Sequence, residues 1–218
     1  MIERANFRNT VTKLLLGLLL LSTARVLHAE VMLSEVMYNP QNGGANRKWV
    51  ELYNSGSSAV SLSGWQFGEP TNNLWASALP AGTSLGAGQA LVLTPSAATL
   101  DSDWGSGINR IQVSNFPALT TDPNNNVAAA TLAIRNGSGV IQDQLTYKNG
   151  AGWPTANGND GNSIYVLPQD LNTTANDSGA NWKPSAVGVY GAVWKGAGGD
   201  SENHASPGIV ANTVQAPF

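Results

Sequence analysis

An all-β sandwich or barrel is the fold class this sequence predicts, and three observations carry the prediction. Short β-favouring runs recur along the chain, separated by clusters of Gly, Asn, Pro and Ser. No segment shows a convincing 3.6-residue apolar period with caps. Charged residues are only 11% of the 218, while 24 Gly and 23 Asn supply turns and 42% of the chain is hydrophobic. An average soluble protein is roughly 25% charged. That apolar content excludes a disordered chain, and the low charge excludes helical bundles and coiled coils.

The first 29 residues stand apart from this fold. Arg4, Arg8 and Lys13 form a positive n-region, and Leu14–Leu16 with Leu18–Leu21 form an apolar core. That core is about 8 residues, too short to span a bilayer that needs about 20. It reads as a secretory signal peptide over residues 1–29, cleaved after Ala29. The remaining 189 residues carry 13 acids and 7 bases, net −6. No second apolar run is long enough to cross a membrane after the leader is removed. The expected location is therefore extracellular or periplasmic. An acidic chain of this kind is not expected to bind nucleic acid. The chain has no Cys, so disulfides and thiol catalysis are excluded, and a domain of this length can bury a core without staples.

The strands then follow in order. Val31–Tyr38 is the first, and Lys48–Tyr53 alternates Trp49, Glu51 and Tyr53 against Val50 and Leu52. Ala59–Phe67, Gln89–Thr94 and Ile108–Ser114 come next. Thr131–Arg135 and Val140–Tyr147 flank Asn136-Gly137-Ser138-Gly139, which is a hairpin signal. Ser163–Leu167 is a further strand. Pro95–Leu100 has the composition for one helical turn. Residues 150–161 and 170–208 are too polar for core strands and are expected as long irregular loops. One domain is expected over 30–212, with a tail at 213–218.

Several of these pieces, taken in order, resemble the lamin tail domain family of bacterial secreted proteins. They are Leu33-Ser34-Glu35-Val36-Met37-Tyr38-Asn39-Pro40, then Trp49-Val50-Glu51-Leu52-Tyr53-Asn54, then Val60-Ser61-Leu62-Ser63-Gly64-Trp65. Leu79-Pro80-Ala81-Gly82-Thr83 and Leu85-Gly86-Ala87-Gly88-Gln89 follow, and Thr131–Tyr147 resembles the family's late hairpin. Gly152-Trp153-Pro154, Asn181-Trp182 and Ser206-Pro207-Gly208 extend the likeness to about Asn212, with residues 100–126 departing from the compact pattern. The resemblance implies an immunoglobulin-like β-sandwich used for binding or scaffolding.

Few residues suit chemistry. His204 is the one histidine outside the leader, and it reads as a solvated loop residue rather than a triad member. No residue is assigned a catalytic role. Glu35, Glu51 and Asp143 are the carboxylates to watch, since a pair flanking an open cleft can run glycoside hydrolysis. The bland expectation is that Glu35 and Glu51 hydrogen-bond at the sandwich edge. Asn157, Asn159 and Asp160, with Gly158 and Gly161 among them, give closely spaced oxygen donors, a Ca²⁺ candidate that lacks the acid at the twelfth loop position. No other cofactor is expected. Trp104, Trp153 and Trp194 are expected in loops, where an indole can stack on a sugar or anchor a protein. The reading is a secreted, non-enzymatic binding or structural module that docks an extracellular protein or carbohydrate through sandwich-end loops. The alternative is a small secreted hydrolase working with carboxylates, with or without Ca²⁺.

Overall fold

The computed structural model describes residues 31–41, 44–119, 130–148, 152–154, 161–185, 192–195 and 202–210. In chain order the strands are β1 (Val31–Met37), β2 (Trp49–Asn54), β3 (Val60–Ser61), β4 (Gln66–Glu69), β5 (Leu74–Trp75), β6 (Ser84–Leu85) and β7 (Ala90–Thr94). Helix α1 (Ala97–Trp104) follows, then β8 (Arg110–Gln112), β9 (Ala130–Arg135), β10 (Ile141–Tyr147), β11 (Ile164–Val166), β12 (Trp182–Pro184), β13 (Ala192–Lys195) and β14 (Glu202–Ala205).

Two sheets face each other, as the sequence predicts. The larger runs β12-β11-β1-β2-β7-β8, and the smaller runs β10-β9-β4-β5. All their pairings are antiparallel except β7 with β8. Side chains of one parity meet between the sheets, as the two-residue period of a strand requires. Val36, Val50, Leu52, Leu91 and Leu93 come from the larger sheet, and Phe67, Leu132, Ile134, Leu145 and Tyr147 from the smaller.

The outer face of the larger sheet is covered as well. Met37, Trp49 and Val92 form a second core there with Leu100 of α1 and Ala205 of β14. Every residue of β1 and β2 is consequently buried. Strands covered on both faces lose the apolar–polar alternation of a half-exposed sheet.

The structure departs from the sequence expectations in three places. Ala59–Phe67 is two strands, because Gly64 adopts φ +76° and turns the chain between β3 and β4. The helical turn extends to Trp104. Ser96 caps it by accepting from Thr99 N–H at 3.2 Å, and Leu100 and Trp104 pack onto the second core. Residues 170–208 are not all loop, since β12 adds to the sheet edge and β13 pairs with β14. The strand expected over Ile108–Ser114 is present as Arg110–Gln112, a parallel edge strand beside β7. Residues 120–129, the leader and the tail lie outside the described residues.

Candidate functional site

The densest cluster of polar side chains on the outer face of the larger sheet centres on Glu35 and Glu51. The register of β1 against β2 slips by one residue: Leu33 pairs with Leu52, and the next pair is Glu35 with Glu51. Ser34 is the extra residue of this bulge, which aims both Ser34 and Glu35 at Glu51. The two carboxyl groups are thus directly opposed on central strands, not at the sandwich edge as the sequence suggested. Each glutamate is only 1% exposed.

The carboxyl oxygens are occupied by short polar groups from distant parts of the chain. Glu35 Oε1 accepts from Ser206 N–H at 2.9 Å and from the Ser163 hydroxyl. Glu35 Oε2 accepts from Ser206 Oγ at 2.7 Å. The Ser185 hydroxyl stands 2.7 Å from Ser163 Oγ, extending the network outward. Glu51 Oε1 accepts from Ser34 Oγ at 2.7 Å, and Oε2 accepts from Gly208 N–H at 2.7 Å. A cavity of about 10 Å³ adjoins the pair, lined by Tyr165, Leu171, Ile209 and Val210 among others. That is room for about one water molecule.

Burial pushes both carboxyls up from the ordinary range. Glu51 reaches about 8, because its desolvation is compounded by the adjacent Glu35, while Ser34 and Gly208 pull only weakly the other way. Glu35 is also raised by burial, against the opposing donors from Ser163, Ser206 and Ser185. Glu35 collects more donors, and these favour its anion. Burial and the neighbouring Glu35 therefore keep Glu51 protonated at neutral pH. Ser34 Oγ also lies 3.3 Å from the Glu51 carbonyl. A protonated Glu51 can thus donate to Ser34 while Ser34 donates onward to that carbonyl.

Asp143 does not join this cluster. It sits on β10 with Leu145 and Tyr147, on the inner side of the sandwich. Its Oδ2 accepts from Leu33 N–H and from the Asn176 amide, both at 2.8 Å. Burial raises its pKa to about 6. The open cleft that a carboxylate hydrolase requires is absent at this cluster: the glutamates are sealed under one face of β1, and Asp143 lies on the other.

Trp104 and Trp153 are each packed against a second indole, Trp153 from a loop as expected and Trp104 from the end of a helix. Trp104 closes α1 and meets Trp49 edge-on, with ring centroids 6.5 Å apart. Trp153 leans on the fully buried Trp182 at 5.6 Å. Both Trp104 and Trp153 are half-buried. Trp194 lies on β13, opposite Asn203. His204 is on β14 and half-buried, with Nδ1 2.7 Å from Asn162 Oδ1, so it is not a solvated loop residue. Asn157, Asn159 and Asp160 lie outside the described residues. Among the described residues no group of three or more His, Cys, Asp or Glu is placed to hold a metal.

Sequence reasoning missed Ser163, Ser185, Ser206 and Asn176. Isolated serines and asparagines carry no pattern, and the partner that gives each its role is up to 171 residues away. The one available signal was Ser206-Pro207-Gly208, which presents two backbone donors two residues apart.

The family model for Lamin Tail Domain matches residues 27–149. The match takes in β1 to β10 and therefore both glutamates, and it ends before the serines that close over Glu35. No curated protein and no solved structure matches the chain. With more than half its length matched and with the two-sheet sandwich in place, the chain belongs to the lamin tail domain family.

Proposed function

We propose that this protein is a secreted, non-enzymatic binding or structural module that docks an extracellular protein or carbohydrate through the loop-bearing ends of its sandwich. One observation carries the reading. The carboxylate pair best suited to acid–base work is buried, and its oxygens are engaged by serine hydroxyls and backbone N–H groups. General acid–base catalysis needs such groups within hydrogen-bond reach of a substrate.

Docking is supported by the way Trp104 and Trp153 are held. Each is half-buried with its ring fixed against a second indole. A fixed aromatic contributes contact area on binding while losing little side-chain entropy. The family suggests an immunoglobulin-like module without catalysis. The net charge of −6 after removal of the leader disfavours a nucleic-acid partner.

The test is a thermal-shift screen of residues 30–218 against a glycan panel and against Ca²⁺, followed by Trp104→Phe and Trp153→Phe. Stabilisation by a glycan, reduced in a Phe variant that retains its melting temperature, supports the reading. Hydrolysis of a panel glycan that disappears in Glu51→Gln overturns it in favour of an enzyme. Secretion is checked separately: protein recovered outside the cytoplasm with an N-terminus near Glu30 supports it, and uncleaved cytoplasmic protein contradicts it.

A further inference from the structure

The segment 206–210 crosses the outer face of the larger sheet directly above two carboxyl groups. Upstream of it, residues 203–205 are pinned independently. Asn203 Oδ1 accepts from Gln41 N–H at 2.6 Å, His204 exchanges 2.9 Å backbone bonds with Gly161 and Ser163, and Ala205 is buried in the second core. Downstream, the polar anchors to the sheet are of one kind. Ser206 N–H and Oγ donate to Glu35, and Gly208 N–H donates to Glu51. Ile209 is 42% exposed, and Val210 is partly buried against the inner core.

We propose that 206–210 is a proton-controlled strap: the proton on Glu51 keeps it closed, and loss of that proton lifts it from the sheet around a hinge at 203–205. The geometry dictates the direction. With Glu51 protonated, at most one negative charge faces the hydroxyl and amide donors of the site. With Glu51 ionised, two negative charges oppose each other across one strand pair. Neither glutamate is in an ion pair with a described lysine or arginine. Each anion separately would be welcomed by its backbone donors. Two together in a desolvated site need water, because like charges there repel strongly. β1 and β2 wall the site on one side, so water enters by displacing the strap. The small cavity beneath Ile209 and Val210 marks the point of entry. The raised pKa of Glu51 places the opening above about pH 8.

Among the described residues, no ion pair joins another titratable group to either glutamate. Tyr165 of β11 lines the cavity. His204 of β14 turns its Nδ1 to Asn162, and Lys183 lies opposite Tyr165 on the edge strand β12, with an exposed side chain. On the same face, Arg47 pairs with Asp103 and Arg110 with Asp101. The family match stops at residue 149, so the strap belongs to the part of the chain beyond it, while the glutamates it covers belong to the matched part.

Amide hydrogen exchange of the full chain tests this, read by mass spectrometry at about pH 6.5 and pH 9.5 and corrected for the intrinsic rate. In the native chain, protection of a peptide covering 206–210 is expected to fall at least tenfold at the higher pH, while β10 stays protected. Glu51→Gln keeps a neutral group that accepts from Gly208 and donates to Ser34, so its strap is expected to stay protected at both values. Glu35→Gln removes the second charge by the other route and serves if Glu51→Gln does not fold. Unchanged protection in the native chain overturns the proposal. So does an equal loss in the Gln variant, or a loss shared by β10, which signals global unfolding.

Discussion

Asn176 donates its side-chain amide to Asp143 Oδ2 at 2.8 Å and to the Leu33 carbonyl at 3.2 Å. One amide therefore joins the edge strand of the smaller sheet, the first strand of the larger sheet and the polar segment after β11. Both Asn176 and Asp143 are buried, and one oxygen of each has no hydrogen-bond partner among the described residues. Removing the amide by Asn176→Ala strands the Leu33 carbonyl and takes one of two donors from Asp143 Oδ2. An unsatisfied buried polar group costs about 1–3 kcal/mol. A loss of about 2 kcal/mol is expected in urea unfolding, with an unchanged slope.

Stability is expected to fall as pH rises from about 4 to about 8. Glu51 moves from 4.5 to about 8 on folding, and Asp143 from 3.8 to about 6. The folded chain therefore holds protons that the unfolded chain has released. Unfolding stability has a negative slope wherever the native state binds more protons, at most about 1.4 kcal/mol per pH unit for each group. These contributions are complete below the unfolded values and are lost through the folded ones. Melting temperatures across the range check the sign. Glu51→Gln should flatten the upper part of the curve and Asp143→Asn the lower part. A native curve that rises from pH 5 to 8 contradicts both assignments.

Gly68→Ala is expected to disturb the outer face of the smaller sheet. A methyl at Gly68 would come within 2.5 Å of the Trp75 ring and collide with the Leu74 carbonyl. Trp75 must then move, and with it the Arg135 guanidinium that sits 3.7 Å from its centroid. Overpacking of this kind costs about 1–3 kcal/mol. A destabilised variant with altered tryptophan fluorescence is the expected result.

Trp104→Ala and Trp153→Ala should destabilise the fold in addition to any effect on binding. Each deletes a ring resting on a buried indole, Trp49 or Trp182. Full burial of an aromatic is worth about 3–5 kcal/mol on truncation, so half-buried rings should cost about 2 kcal/mol. Chemical unfolding measures it. Values near zero would show that these rings are not structural.

How much of this was legible in the sequence depended on where each residue finds its partner. The hairpin β9–β10 was readable because Asn136-Gly137-Ser138-Gly139 sets its own geometry locally. The strands around Leu33, Val50, Leu91 and Ile164 were readable from short apolar runs bounded by turn residues. β12 and β14 were not, because Trp182-Lys183-Pro184 and Glu202-Asn203-His204-Ala205 have no strand pattern. They extend because neighbours at β11 and β13 satisfy their backbone groups. The helix was half-readable: Ser96 marks its start, and packing of Leu100 and Trp104 on Trp49 decides its end.

Composition and two-residue periodicity, which are local properties, determined an all-β sandwich or barrel, the absence of thiol chemistry and the acidity of the chain, and the resemblance of its motifs narrowed the fold to a sandwich. The sequence by itself named Glu35 and Glu51 but assigned them to an edge. Tertiary structure alone decided that a one-residue bulge opposes them in the centre of a sheet, and that serines 128 and 171 positions away from Glu35 close over it. Desolvation and mutual repulsion depend on what surrounds a carboxylate in space, and no local pattern along the chain encodes that.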